Sequence, residues 1–399
     1  VSNEVDASAT HRDRVERPSR TAVIGALTVF LVFGVMAGSL GSALPVLRVQ
    51  YHLGQTDGGA AVGAYNLGAL LAIIVSGVVE RVVPARKATI ALIAIFAIGA
   101  ISASAAVTFP LFVACTGVAG FGFGGLIVYL NSAFANEFGE RSLLMVSVLN
   151  AAYSAGAVLG PIAVSATAHT DIRAVMWIIA VSAVLGIPAS GCVSAESARA
   201  TDTEFRPAVR KVLAVVAPFA VLAFLYSGLE TATGAWESTQ LVWTGMSSAA
   251  AAQLTSLFFV GLAVGRAIIP LFARQAAPQR TVQVGFGAGA AALLLSTQPF
   301  AQVCGYFLAG LAIAPILPAI LTWTSSVVPA SRLATACVLT GSLGGATILP
   351  TTMGALVTPG SPWLIAAALG TVAGLGVLAA YVIAVFRSAA KPKSKEQND

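Results

Sequence analysis

Apolar residues in this chain come in long blocks, without the three-to-four or alternating spacing of amphipathic helices and strands. A helix needs roughly 20 apolar residues to cross about 30 Å of hydrocarbon. Reading between charged, proline and glycine punctuation gives twelve blocks: 21–47, 58–79, 88–108, 110–135, 143–168, 172–192, 212–242, 247–272, 281–297, 300–324, 333–358 and 362–386. Spans three and four, and nine and ten, are joined by almost no polar sequence and are expected to form tight hairpins. The longest internal polar stretch, 193–211, divides the blocks six and six. The expected fold is all-α and polytopic, with twelve transmembrane helices in two six-helix bundles. Its parts are an N-terminal tail (1–20), a first bundle (21–192), a linker (193–211), a second bundle (212–386) and a C-terminal tail (387–399). The first block is longer than the ~7–15 apolar residues of a secretory signal, so it reads as a span.

Composition agrees. Of 399 residues, 57% are hydrophobic and 10% charged, with mean hydropathy +0.87, whereas soluble proteins carry about a quarter charged residues. A bilayer can serve as solvent for that much apolar surface. Nineteen of the 22 Lys and Arg fall in the two tails and the loops on the same side. Arg48 and Arg173 fall on the other side, and Arg266 lies inside the eighth block. The positive-inside rule then puts both termini in the cytoplasm of a multi-pass cell-membrane protein. The net charge of +6 is read as basic loops facing anionic lipid, with no nucleic-acid partner. Cys115, Cys192, Cys304 and Cys337 have no motif spacing and read as packing residues.

Several chemistries have no support. There is no Gly-Lys-Ser/Thr phosphate loop, no TVGYG-like filter, and no lysine inside a span for a Schiff base. His11, His52 and His169 fall in the tail or outer loops, and no metal or other cofactor is expected.

A faint internal repeat joins the halves. Gly68, Gly77, Arg81 and Lys87 recur 193 residues later as Gly261, Pro270, Arg274 and Arg280. Gly156 and Gly160-Pro161 on the fifth span are echoed by Gly341, Gly345 and Pro350 on the eleventh. Duplicated bundles around a midplane site are what a rocking, alternating-access transporter requires.

Twelve spans in two sixes, with Glu80-Arg81 and then Arg86-Lys87 after the second, resemble the major facilitator superfamily. The resemblance implies a latch role for Glu80 and Arg81, an acid on the N-terminal dipole of a neighbouring helix. A narrower resemblance, to the fucose-permease-like branch of sugar/proton symporters, rests on four stretches. They are Tyr226-Ser-Gly-Leu-Glu230 through Gly234-Ala-Trp236, Gly261 through Gly265-Arg266, Gly310 through Pro315 and Pro318, and Gly120-x-Gly122-x-Gly124 with Asn131. Gly41 and Ile127 stand where that branch places acids.

Burying an ionised side chain at the bilayer centre costs at least ~2.5–3.5 kcal/mol on insertion scales, so intramembrane charges require a reason. Glu230 and Glu237 share one face of the seventh span, about 10 Å apart along its axis. Both are candidate proton-coupling groups. Their alternatives are an ion pair across helices for Glu230 and a solvated outer vestibule for Glu237. Arg266 is a candidate for gating or for holding a substrate anion, with snorkelling to the interface as its plain alternative. The resemblance implies a cavity lined by spans one, four, seven and ten, supported by two, five, eight and eleven. Candidate solute contacts on those spans are Tyr65, Asn66, Tyr129, Asn131, Asn150, Tyr153, Tyr226, Trp236, Gln253 and Trp323. Pro315 and Pro318 are expected to break the tenth span beside the cavity. Trp243 and Trp363 are assigned to the interfacial aromatic belt.

The expectation is a secondary transporter that moves a small polar, sugar-like solute with protons by symport. It is expected to be a monomer in the lipid bilayer and not an enzyme. Proton-antiport efflux of a drug or secondary metabolite is the alternative within that class, favoured by the Gly156-x-x-x-Gly160-Pro161 tail. A sensor or scaffold that keeps the fold without flux is the alternative outside it.

Overall fold

A computed structural model describes residues 18–54, 57–79, 82–138, 141–167, 172–193, 209–272, 277–329 and 331–390. Glu80 and Arg81 lie outside the described residues. The described chain is helical: α1 (Arg20–Ser42), α2 (Leu44–Gln50), α3 (Ala60–Val79), α4 (Ala85–Ser104), α5 (Phe109–Asn136), α6 (Ser142–Thr167) and α7 (Arg173–Leu185). Then follow α8 (Val209–Trp243), α9 (Ser248–Phe272), α10 (Pro278–Leu295), α11 (Gln302–Ile313), α12 (Ile316–Val327), α13 (Arg332–Met353) and α14 (Trp363–Ala390).

Eleven helical runs among the described residues are long and apolar enough to cross a bilayer. The expected ninth span, α10, is not one of them. It has only 18 residues, and Gln279, Arg280 and Gln283 in its first turns dilute any membrane-length window. It still packs against α14, α11 and α12.

Proline explains where the helices depart from the blocks in the sequence. The first block ends α1 at Ser42 and restarts as α2, with Pro45 in its first turn. Proline has no N–H to continue the ladder but fits a first turn, where that donor is unpaired anyway. The sixth block closes in a 3-10 turn, Ile187–Cys192, that includes Pro188. The tenth block breaks between Ile313 and Ile316, with Pro315 capping α12 and Pro318 in its first turn. Side-chain caps close α1 and α13, where Ser19 and Ser331 accept from the Ala22 and Ala334 amides, each at 3.2 Å.

Close helix contacts follow the small residues, since lipid gives no hydrophobic drive between helices and packing must supply it. A Cβ added at Gly156 of α6 would stand 1.9 Å from the Leu31 carbonyl oxygen of α1. Gly345 of α13 would meet the Phe224 carbonyl oxygen of α8 at the same 1.9 Å. A Cβ added at Gly68 of α3 would stand 2.0 Å from the Gly117 carbonyl oxygen of α5, and one at Gly261 of α9 would stand 2.2 Å from that of Phe307 of α11. The faint repeat is therefore one of packing: equivalent glycines seat α6 on α1 as α13 on α8, and α3 on α5 as α9 on α11.

Candidate functional site

At one end of the bundle, α1–α3 meet α8 and α13 directly. Ser238 donates to the Gly41 carbonyl at 3.3 Å, and Gly59 lies against the Pro350 carbonyl. Arg48 extends from α2 across this seam. Its guanidinium carbon lies 5.1 Å from the Trp236 ring centroid and 5.2 Å from that of Trp243, and Nη1 donates to Thr239 at 3.3 Å. Trp243 is thus half-buried against a cation. Trp363 is half exposed.

At the other end the helices splay around a cavity of about 1220 Å³. Its wall runs toward the starts of α6 and α10, at Val146 and Pro278, the end that carries Arg86, Lys87, Arg141 and Arg280. The first-half side of the wall includes Tyr65, Asn66, Phe123, Asn131, Asn150 and Tyr153. Tyr65 stacks on Phe123 at 5.0 Å and Phe123 on Tyr153 at 6.3 Å, an aromatic shelf along the wall. Asn66, Asn131 and Asn150 each donate Nδ2 to the carbonyl four residues back, at 2.8–2.9 Å. That anchor presents each amide oxygen as an acceptor. The buried Tyr65 hydroxyl has no hydrogen-bond partner among the described residues.

The second-half wall holds the charges. Arg266 of α9 and Glu230 of α8 form an ion pair, Nη2 to Oε1 at 2.8 Å, with side chains 32% and 21% exposed. The same Nη2 donates to the Tyr226 hydroxyl at 3.2 Å. Snorkelling does not describe Arg266: its charge is matched across helices. Of the alternatives for Glu230, the inter-helix ion pair is present, and it faces the cavity. Pro315 and Pro318 also line the cavity, beside the break that the sequence places there.

Other predicted contacts lie elsewhere. Trp236 is fully buried behind the seam, donating Nε1 to the Pro350 carbonyl at 2.8 Å. Tyr129 is buried, Trp323 is buried edge-on to Phe219, and Gln253 is exposed outside the cavity. Tyr226 is fully buried and touches the pair, accepting from Arg266. Glu237 is not in a solvated vestibule: it is fully buried, with neither carboxylate oxygen bonded among the described residues. The neighbouring Gln240 accepts from Tyr306 and donates to the Ser296 carbonyl. Arg48 is the functional candidate the sequence reading missed. Its signal was its rarity as a base on the side expected to be outer, inside a proline-started helix.

A sealed end, an open cavity between two sets of helices and a charged pair in its wall define a solute transporter of the membrane. The major facilitator superfamily model matches residues 25–336, so the chain belongs to that family of transporters and is not an enzyme. No significant sequence match is found among curated proteins. Solved structures share the fold at low identity. The nucleoside transporter NupG aligns at 15% identity with TM-score 0.74, covering 92% of this chain and 98% of its own. The D-xylose-proton symporter aligns at 13% and 0.72, covering 91% and 96%. The peptide transporter POT in complex with sulfate aligns at 14% and 0.71, covering 92% and 94%.

Proposed function

We propose that this protein is a proton-coupled secondary active transporter that takes up a small polar solute by alternating access. The observation that carries the reading is the Glu230–Arg266 ion pair, set in the wall of a cavity closed at one end and open at the other. Glu230 is the proton carrier. Its carboxylate can be neutralised, whereas Arg266 stays charged, so a proton on Glu230 unpairs the two and changes how α8 and α9 hold together. Glu237, sealed two turns further toward the closed end, is a second proton site reached when that end opens. The seam at Arg48 is the outer gate, and Glu80 with Arg81 forms the inner latch.

In this reading the protein is a monomer. Its bundles, 21–192 and 212–386, each contribute six spans, with α10 as the twelfth crossing, joined by the linker 193–211. Both tails, 1–20 and 387–399, are cytoplasmic, and the cavity opens inward at the basic end. Xylose, nucleosides and peptides, named for its neighbours in fold, are all small polar solutes, and the amide-rich wall suits that class. Antiport gains no support from the fifth-span glycines, since Gly156 and its counterpart Gly345 are both consumed in seating helices.

The test uses proteoliposomes with an imposed proton gradient and a panel of xylose, uridine, a dipeptide and gluconate. Glu230→Gln is expected to abolish gradient-driven accumulation while solute exchange continues. Normal accumulation by that variant overturns the assignment.

A further inference from the structure

The cavity wall has one fixed cation and one titratable anion among its described lining residues, Arg266 and Glu230, and their pairing leaves it neutral. The pair is held by one nitrogen. Arg266 spends Nη2 on both Glu230 and Tyr226, and Nη1 and Nε have no protein partner among the described residues. A guanidinium offers five donors in a planar fork that matches a carboxylate. A third of this side chain is accessible from the cavity. The titratable groups around Glu230 are Arg266 from α9, Tyr226 from its own helix and Tyr153 across the cavity on α6.

The two partners differ in what they can do when separated. Glu230 becomes neutral by taking a proton, but Arg266 cannot lose one. An intramembrane arginine deprived of its counter-ion is expensive, so the proton that releases Glu230 creates a demand for a second anion in the same place. A neutral solute leaves that demand unmet. A cationic one would compete for Glu230 and worsen it.

We propose that the solute is a small organic carboxylate, whose anionic group replaces Glu230 on Arg266 when Glu230 takes up a proton. The inference rests on the proton-coupled reading of this site and adds the substrate class. One proton and one carboxylate enter together, and the cavity keeps zero net charge throughout. The rest of the solute meets the acceptor oxygens of Asn66, Asn131 and Asn150, which favours a body bearing hydroxyl groups.

Acetate, the smallest probe with the required group, tests this on the purified full chain in detergent. In Glu230→Gln, acetate at constant ionic strength is expected to raise Tm saturably, by about 2 °C or more. Acetamide should not, and adding Arg266→Gln should remove the response. In the wild-type chain, which needs no variant to fold, acetate binding is expected to take up one proton. Its apparent affinity then rises as pH falls. The proposal is overturned if acetamide acts like acetate, if the response survives in the double variant, or if wild-type acetate binding moves no proton. A chain that needs the proton gradient yet fails the acetate test carries a neutral solute, and only this inference falls. A chain that passes it but accumulates solute without a gradient loses the coupling reading instead.

Discussion

At the scale of the residue, the decisive facts concern how a few charges are neutralised. Glu230 and Arg266 each stand out in the sequence because ionised side chains are costly in a bilayer. That they face one another does not, because they are 36 positions apart on two helices whose relative rotation no spacing encodes. Arg48 is a sharper case. It reads as one of two outer-side bases, and only the folded chain brings it between Trp236 and Trp243, 188 and 195 residues away. Each cation–π contact contributes about 0.5–2 kcal/mol, more when desolvated. Both contacts link the first half to the second, so they stabilise the state in which this end is shut. Arg48→Met keeps the apolar stem and removes the charge. With about 1–2 kcal/mol lost, the population open at this end should rise roughly 5- to 30-fold. Spin labels at the exposed Val49 and Leu356 would report it as a longer inter-label distance, and an unchanged distance distribution would remove Arg48 from the gate.

At the scale of the element, much was legible and for a physical reason. Membrane spans are bounded by hydrocarbon thickness, so block length predicts helices, and Pro315 marked the break in the tenth block, whereas the breaks at Pro45 and Pro188 were not expected. The glycines of the fifth and eleventh blocks also stood out, but the helices they touch did not. A glycine marks a close approach without naming its partner. Because a Cβ added at Gly156 or Gly345 would stand 1.9 Å from a main-chain oxygen, no side chain can be accommodated by a rotamer change. Gly156→Leu and Gly345→Leu should each lower stability by about 1–3 kcal/mol or more, as overpacking does. Gly374→Leu, at an exposed α14 position with nothing within 4 Å, should be neutral. Thermal unfolding in detergent, scored by loss of helical signal, checks all three. If the first two match the third, the shared packing of the halves is not what holds α6 and α13 in place.

At the scale of the whole molecule, one position links the missing acid of the sequence to the state of the transporter. Gly41 stands where the resembling symporters often place a carboxylate. Here a Cβ would lie 2.2 Å from the Gly234 carbonyl oxygen and 2.6 Å from the Ala235 Cα, both on the opposite half. The closed end therefore has no room for an acid at that position, which is consistent with charge chemistry concentrated on α8 and α9. The clash exists only while the halves touch. Gly41→Leu is penalised in the sealed state and relieved in any state open at that end. A bias of about 5.5 kcal/mol turns a 99:1 distribution into 1:99, and a main-chain overlap of this size is ample for that. The variant should fold, show the long Val49–Leu356 distance as its main population, and lose net transport because it no longer returns to the closed form. Combining it with Arg48→Met should add little, since both act on the same seam and the gate is already open. A variant that stays shut at this end, or that transports at the wild-type rate, would mean that the α1–α8 contact at Gly41 does not separate during the cycle.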